Sequence, residues 1–110
     1  MKEDAKKKWV EALRSGKYQQ GTSCLKNGNE FCCLGVLTDI YHKETGIGEW
    51  DRIARFKSPN EKESSILPNE VRDWAELESC DPNVKKGALS SLNDAGTSFE
   101  LLANYIEAEL

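Results

Sequence analysis

The pattern of hydrophobic and polar positions begins with a clear helical period. Trp9 and Leu13 recur at helical spacing and predict a first helix over residues 3–15. Asp4 is the expected N-cap of this helix, and Gly16 is its expected stop. The lysines between these positions fall on the opposite, solvated face.

A second helix is predicted over residues 34–45, where the apolar positions that start at Leu34 share one face. Gly46 is the expected end of this helix. Gly35 lies in its first turn, where a glycine costs about 1 kcal/mol relative to alanine. We therefore expect another part of the chain to approach closely at Gly35.

The C-terminal part of the chain predicts further helices. One begins after Pro68, a residue suited to a first helical turn, and two more cover residues 87–95 and 98–109. Thr97 and Glu100 have the spacing of a capping box at the start of the last helix.

Strand signals lie between these helices. Residues 22–26 and 30–33 flank an Asn-Gly pair at 27–28 and predict a hairpin. Short apolar stretches predict further strands over 50–56 and 64–67. Neither repeats nor a domain boundary interrupts the pattern.

These elements predict one α+β domain over residues 1–110. We expect a small antiparallel sheet of three or four strands, packed with four to five helices. The predicted core consists of the large apolar residues on the inward helix faces: Trp9, Leu13, Leu34, Leu37, Ile40, Trp74, Leu77, Leu92, Phe99, Leu102 and Ile106.

The composition agrees with a compact domain without a membrane segment. A chain of 110 residues buries about two-thirds of the surface that its unfolded form exposes. It contains no apolar run of about 18 residues, so no membrane-spanning helix is expected. Its N-terminus lacks the features of a secretory signal, so we expect a cytoplasmic protein with reduced cysteines.

The distribution of charge argues against a nucleic-acid partner. The net charge is −4, with 11 basic against 8 acidic residues in 1–57 and 4 against 11 in 58–110. The basic cluster at 6–8 is diluted by neighbouring carboxylates. The helix predicted over 98–109 is acidic and contains no Lys or Arg, which does not suit a helix-turn-helix recognition helix.

Two adjacent cysteines, Cys32 and Cys33, stand where a predicted strand meets a helix. A helix N-terminus lowers the pKa of a thiol, so a cysteine-dependent enzyme is one alternative. However, His42 lies nine residues beyond Cys33, too far along the helix to act as its base. We favour the interpretation that one of the pair is a small core residue. Zinc could draw on Cys24 and Cys80 as well, but no Cys-x-x-Cys spacing occurs, so no metal or cofactor is expected.

The richest set of recognition groups lies in the glycine-flanked loop at 16–21. Amine, phenol and amide groups there suit a polar ligand, and Trp9 or Trp50 could add a stacking face. Asn93 and Asp94 are further candidates for ligand contacts. The alternative is that their side chains stabilise a structural corner through hydrogen bonds to the backbone. The candidate ligand-binding residues are Arg14, Lys17, Tyr18, Gln19, Gln20, Asn93 and Asp94.

The order of four motifs resembles a group of small proteins encoded by tailed phages and prophages. The motifs are WVEALRSGKYQQG, FCCLGVLTDIY, LPNEVRDWA and LSSLNDAGTSFELLANYIEAEL. The resemblance implies the setting of a host-cell cytoplasm and an accessory role, such as counter-defence. It carries no catalytic residues.

We therefore predict a non-catalytic accessory protein that binds a host protein or sequesters a nucleotide-like small molecule. Two alternatives remain: a cysteine-dependent enzyme that uses Cys32 or Cys33, and an oligomeric structural or assembly component.

Overall fold

The computed structural model describes residues 1–51, 55–58, 62–63 and 65–110. Within these residues the chain forms helices and very short strands, which confirms the α+β class. The helices are α1 (Glu3–Arg14), α2 (Cys33–Thr45), α3 (Asn69–Trp74), α4 (Leu89–Asp94) and α5 (Phe99–Glu109). The strands are β1 (Gln19–Gln20), β2 (Lys26–Asn27), β3 (Glu30–Phe31), β4 (Glu49–Trp50), β5 (Phe56–Lys57), β6 (Lys62–Glu63), β7 (Asn83–Val84) and β8 (Gly87–Ala88).

The strands form three small sheets where the sequence predicts one. Their orders are β1-β3-β2, β4-β5-β6 and β7-β8. The predicted hairpin is present, with Lys26 opposite Phe31, but each strand has two residues. The first strand is Lys26–Asn27 and not 22–26, and the second ends at Phe31 because Cys32 is already the N-cap of α2. The strand β1 lies in the stretch predicted as a turn, and it pairs with β3 in parallel, Gln19 opposite Glu30.

The strands predicted over 50–56 and 64–67 are only partly within the described residues. Trp50 in β4 pairs with Phe56 in β5, so the first of them is two strands rather than one. Residues 52–54 and 64 lie outside the described part of the chain, and 65–67 contain no strand.

The core lies between α1, α2 and α5. Trp9 is fully buried, and its indole Nε1 donates a hydrogen bond to the carbonyl of Cys33 at 2.9 Å. The stretch of α2 from Cys33 to Tyr41 is buried on every side. Of the predicted core residues, only Trp74, Leu77 and Leu92 are partly exposed. None of the described helices has the length and apolar character needed to cross a membrane.

The close approach expected at Gly35 is present. A Cβ atom on this residue would lie 1.7 Å from the carbonyl oxygen of Leu25 and 2.6 Å from its carbonyl carbon. The backbone just before β2 therefore lies directly against the first turn of α2, and only glycine leaves room for it.

Two predicted helix caps are wrong in detail. The N-cap of α1 is Lys2, without a side-chain hydrogen bond, so Asp4 lies inside the first turn. The N-cap of α5 is Ser98, whose Oγ accepts from the amide of Leu101 at 3.2 Å. Thr97 is not the cap because its own amide donates to the carbonyl of Leu92 and closes the end of α4.

Candidate functional site

A nearly buried carboxylate lies at the centre of the candidate site. Asp39 of α2 has 6% of its surface exposed. It accepts hydrogen bonds from the Tyr18 hydroxyl at 2.7 Å, from the Trp50 indole at 3.1 Å and from the Lys43 ammonium at 3.0 Å. Lys43 is one helical turn further along α2, whereas Tyr18 and Trp50 come from the chain before β1 and from β4. One side chain thus ties three separate segments together.

The hydrogen bonds determine the charge states in this network. Burial raises the pKa of Asp39, but the bonds from Tyr18, Lys43 and Trp50 outweigh burial, so the pKa is lowered. The hydrogen bond to Asp39 raises the pKa of Lys43. Burial, followed by the bond to Asp39, raises the pKa of Tyr18 to about 12. At neutral pH the network therefore holds a carboxylate, an ammonium and a neutral phenol.

A set of half-buried aromatic rings lies around this carboxylate. Phe31 packs edge-on against Tyr18 with ring centroids 5.0 Å apart and against Trp50 at 5.9 Å. The ammonium of Lys26 is 5.5 Å from the centroid of Phe31 and 5.6 Å from that of Trp50. Lys43 lies 5.4 Å from the ring of Tyr18. We call this surface the Tyr18–Trp50 patch, formed by Tyr18, Lys26, Phe31, Asp39, Lys43 and Trp50.

The patch suits binding more than catalysis. Its rings offer flat apolar faces and edges, and its two ammonium groups offer hydrogen-bond donors. Lys26 makes no ion pair within the described part of the chain, so its charge contacts the two rings alone. Asp39, the one carboxylate in the patch, already accepts from three donors.

The predicted site residues at 16–21 divide between the patch and the interior. Tyr18 belongs to the patch, and Lys17 and Gln19 are exposed on either side of it in the chain. Gln20 instead fills an interior role: its amide donates to Asn93 Oδ1 at 3.0 Å and to the carbonyl of Thr97 at 2.7 Å. Its amide oxygen accepts from the backbone of Phe99 at 3.2 Å.

Asn93 forms the corner that the sequence suggested. It is fully buried, accepts from the amide of Cys33 at 3.1 Å, and donates to the carbonyl of Gly21 at 2.8 Å. Asp94 is exposed, and its Oδ1 accepts from the amide of Ser23 at 2.9 Å. The structural interpretation of the Asn-Asp pair is confirmed for both residues.

Arg14 does not join the loop at 16–21. Its guanidinium donates to Asn104 Oδ1 at 2.7 Å and to both carboxylate oxygens of Glu107, at 3.1 and 3.2 Å. It therefore connects the end of α1 to α5. The expectation that it holds a ligand beside Tyr18 is not supported by this placement, because the guanidinium faces α5.

The adjacent cysteines are both buried. Cys32 is the N-cap of α2, with its sulfur accepting from the amide of Gly35 at 3.4 Å, and Cys33 begins the helix. Burial raises the pKa of Cys32 to about 11 and that of Cys33 well above its usual value. Desolvation thus outweighs the helix N-terminus, and both cysteines are core residues where the sequence predicted one.

The other metal-ligand candidates are dispersed. All four cysteines are free, and His42 Nδ1 lies 3.1 Å from the carbonyl oxygen of Ile47. No group of three His, Cys, Asp or Glu side chains suited to a metal ion occurs among the residues that the structure describes.

Sequence reasoning named Trp50 as a stacking face but missed the other residues that surround Tyr18, and its alternative, Trp9, is buried in the core. A signal exists for Asp39, a carboxylate set between Thr38 and Ile40 in an otherwise apolar run, because such a residue needs buried donors. Lys26 and Phe31 face each other only through the hairpin register, which the sequence alone does not fix.

Comparison with known proteins gives a family without an activity. The model of a domain of unknown function, DUF8296, matches residues 1–110. No curated protein and no solved structure matches the chain.

Proposed function

We propose, for a chain that belongs to the DUF8296 family, a non-catalytic binding function in which the Tyr18–Trp50 patch is the contact surface. The observation that carries this proposal is the position of Lys26, whose ammonium lies over the rings of both Phe31 and Trp50. A cation held among aromatic rings, with no carboxylate partner among the described residues, is available to an anionic group of a ligand.

The chemistry of the patch favours a ligand that joins a flat ring to a negative charge. A base stacked on an aromatic side chain contributes about 1–3 kcal/mol. Lys26 and Lys43 supply ammonium donors beside the rings, and Lys17 adds an exposed ammonium group in the loop at 16–21. A nucleotide-like small molecule has both features, so we propose that the protein sequesters such a molecule.

The biological setting is a further part of the proposal. The resemblance to phage and prophage proteins supports an accessory role in the host cytoplasm. Sequestration of a host signalling nucleotide would serve counter-defence there. A host protein that presents an acidic and aromatic surface is the alternative ligand for the same patch.

Thermal unfolding with a panel of mono-, di- and cyclic nucleotides tests the small-molecule form. A ligand present at about 100 times its Kd adds about 2.7 kcal/mol, which raises the Tm by about 10 °C for a domain of this size. Lys26→Met is expected to weaken binding about 10-fold or more, since a charge-assisted hydrogen bond is lost.

Lys86→Met is the matched control, because Lys86 is an exposed lysine in the β7–β8 turn. It removes the same charge and should leave the Tm shift unchanged. If no nucleotide raises the Tm of the native chain, the small-molecule form is refuted. Equal weakening by the two substitutions would remove the assignment to the patch.

The burial of the cysteines counts against the alternative of a cysteine-dependent enzyme. A thiol with a pKa of about 11, as for Cys32, has little thiolate at neutral pH. Rapid alkylation of Cys32 or Cys33 in the native protein would reopen that alternative. The alternative of an oligomeric component rests in part on exposed tryptophans. Among the described residues, the exposed large apolar side chains are Ile47, Ile66 and Leu101, and none of them is a tryptophan.

A further inference from the structure

A cavity lies between the chain before β2, the start of α2, α4 and residues 65–66, apart from the Tyr18–Trp50 patch. It has a volume of about 300 Å³, at the lower end of the range for small-ligand sites. We call it the Asp94 cavity. The residues that line it are Ser23, Cys32, Ser65, Ile66, Ser90 and Asp94.

The charged side chain that lines this cavity is Asp94. Among the residues that the structure describes, no lysine, arginine or histidine contributes to the lining. The Oδ1 atom of Asp94 accepts from the amides of Ser23 at 2.9 Å and Asn93 at 3.3 Å. Its Oδ2 atom has no hydrogen-bond partner among the described residues, which leaves one carboxylate oxygen available to a donor.

An anion does not suit the cavity, although the N-terminus of α2 is close to it. Three of the first four backbone amides of α2 already have acceptors: Cys33 donates to Asn93, Gly35 to the sulfur of Cys32, and Val36 to the carbonyl of Cys32. An anionic group would find no free amide of these three and would meet the Asp94 carboxylate.

The rest of the lining suits an alkyl stem with a polar head. Ile66 is 36% exposed, and Cys32 adds the apolar surface of a neutral thiol. The hydroxyls of Ser23 and Ser65 can accept further hydrogen bonds from a cationic head group. Ser90 is fixed in place, because its hydroxyl donates to Asp81 Oδ2 at 2.5 Å.

We propose that the Asp94 cavity binds a guanidinium or ammonium group on an alkyl stem, with Asp94 Oδ2 as the acceptor. This chemistry is shared by the arginine and lysine side chains of a protein partner and by free polyamines. It requires a ligand of the opposite charge to that of the Tyr18–Trp50 patch, so the two sites bind different groups.

Amide chemical shifts in a titration with n-butylguanidinium test this proposal. We expect saturable shifts at the amides of Ser23, Cys32 and Ser90. The neutral analogue n-butylurea, which has nearly the same shape, should give a Kd at least about 10-fold weaker because it lacks the charge. Absence of saturable shifts at these amides, or equal affinity for the urea, would overturn the proposal.

Asp94→Asn is the variant that isolates the carboxylate. An asparagine Oδ1 keeps the bond from the Ser23 amide, so the local fold should persist, whereas the affinity for n-butylguanidinium should fall about 10-fold or more. Glu11→Gln removes the same charge from an exposed position on α1 and should leave the affinity unchanged. Unchanged affinity in Asp94→Asn would remove Asp94 as the acceptor.

The source of the cation is separated by two further probes, the acetylated and amidated tripeptide Gly-Arg-Gly and spermidine. Tighter binding of the tripeptide supports an arginine of a protein partner, and tighter binding of spermidine supports a free polyamine. Failure of both to displace n-butylguanidinium would refute both sources. Lys26→Met should not change any of these affinities, so a failure of the nucleotide proposal does not decide this one.

Discussion

Replacement of Asn93 by aspartate tests the buried corner with a nearly isosteric change. The side-chain amide of Asn93 donates to the carbonyl of Gly21 at 2.8 Å. Asn93→Asp removes this donor and leaves a buried carbonyl unsatisfied, at a cost of about 1–3 kcal/mol. It also places a carboxylate at a position with no exposed surface.

The charge adds a second cost that is partly offset. A buried ion carries an effective penalty of several kcal/mol. The Cys33 amide and the Gln20 side chain already donate to Oδ1, at 3.1 and 3.0 Å, and each bond gains about 1 kcal/mol when its acceptor is charged. The net loss of unfolding free energy is then about 2–5 kcal/mol, a large part of the 5–15 kcal/mol typical of a domain.

The loss should depend on pH, and the direction can be stated. Burial raises the pKa of the introduced carboxyl above its unfolded value of about 3.9. Below the unfolded pKa the carboxyl is protonated in both states, so folding buries no charge. The loss of unfolding free energy then grows as the pH rises towards the folded pKa. Asn93→Asp should therefore be closer to the native chain in stability at about pH 4, near the unfolded pKa, than at about pH 7.

Urea unfolding followed by tryptophan fluorescence at the two pH values measures this difference. Glu11→Gln, a carboxylate-to-amide change at an exposed position on α1 away from the corner, is the control and should change the stability by less than about 0.5 kcal/mol. A loss below about 0.5 kcal/mol for Asn93→Asp, or a loss that is the same at both pH values, would refute the proposed energetics of the corner.

Three more substitutions test other parts of the fold. Gly35→Ala should destabilise the chain by about 1–3 kcal/mol or more in urea unfolding, because the new Cβ would meet the backbone of Leu25; native stability would contradict the close approach. Asp39→Asn should remove a stabilisation that the native chain has above about pH 4 and loses as the pH falls through the lowered pKa, so identical acid-unfolding profiles would refute the network. Tyr18→Phe should remove a tyrosinate absorbance step near pH 12, and persistence of that step would assign it to another tyrosine.

The long helices were predictable from the sequence, and the short strands were not. The apolar period over 34–45 identifies α2 to within one residue, since an interior helix repeats its signal over several turns. A two-residue strand such as β1 has no room for an alternating pattern. Only its pairing with β3, eleven residues further along, makes it a strand.

The candidate site was predictable in part, for the same reason. Tyr18 was recognisable from its polar, glycine-flanked loop, but its partner Asp39 belongs to α2 and Trp50 to β4. Gln20 and Arg14 have side chains typical of ligand contacts, yet tertiary hydrogen bonds to α5 and the corner occupy them. Residue type indicates what a side chain can bind, whereas only packing decides which partner it has.

The corner at Asn93 also sets the order in which the chain can reach its final form. The bonds from Asn93 span 60 residues to Cys33, 72 to Gly21 and 73 to Gln20. Contacts of such separation form slowly, because the chain loses the entropy of closing a long loop before the contacts stabilise it. During synthesis the hairpin and the start of α2 leave the ribosome before α4. Their hydrogen bonds to Asn93 form only after α4 has followed. The N-terminal part of the fold is thus completed by residues that are synthesised 60 or more positions later.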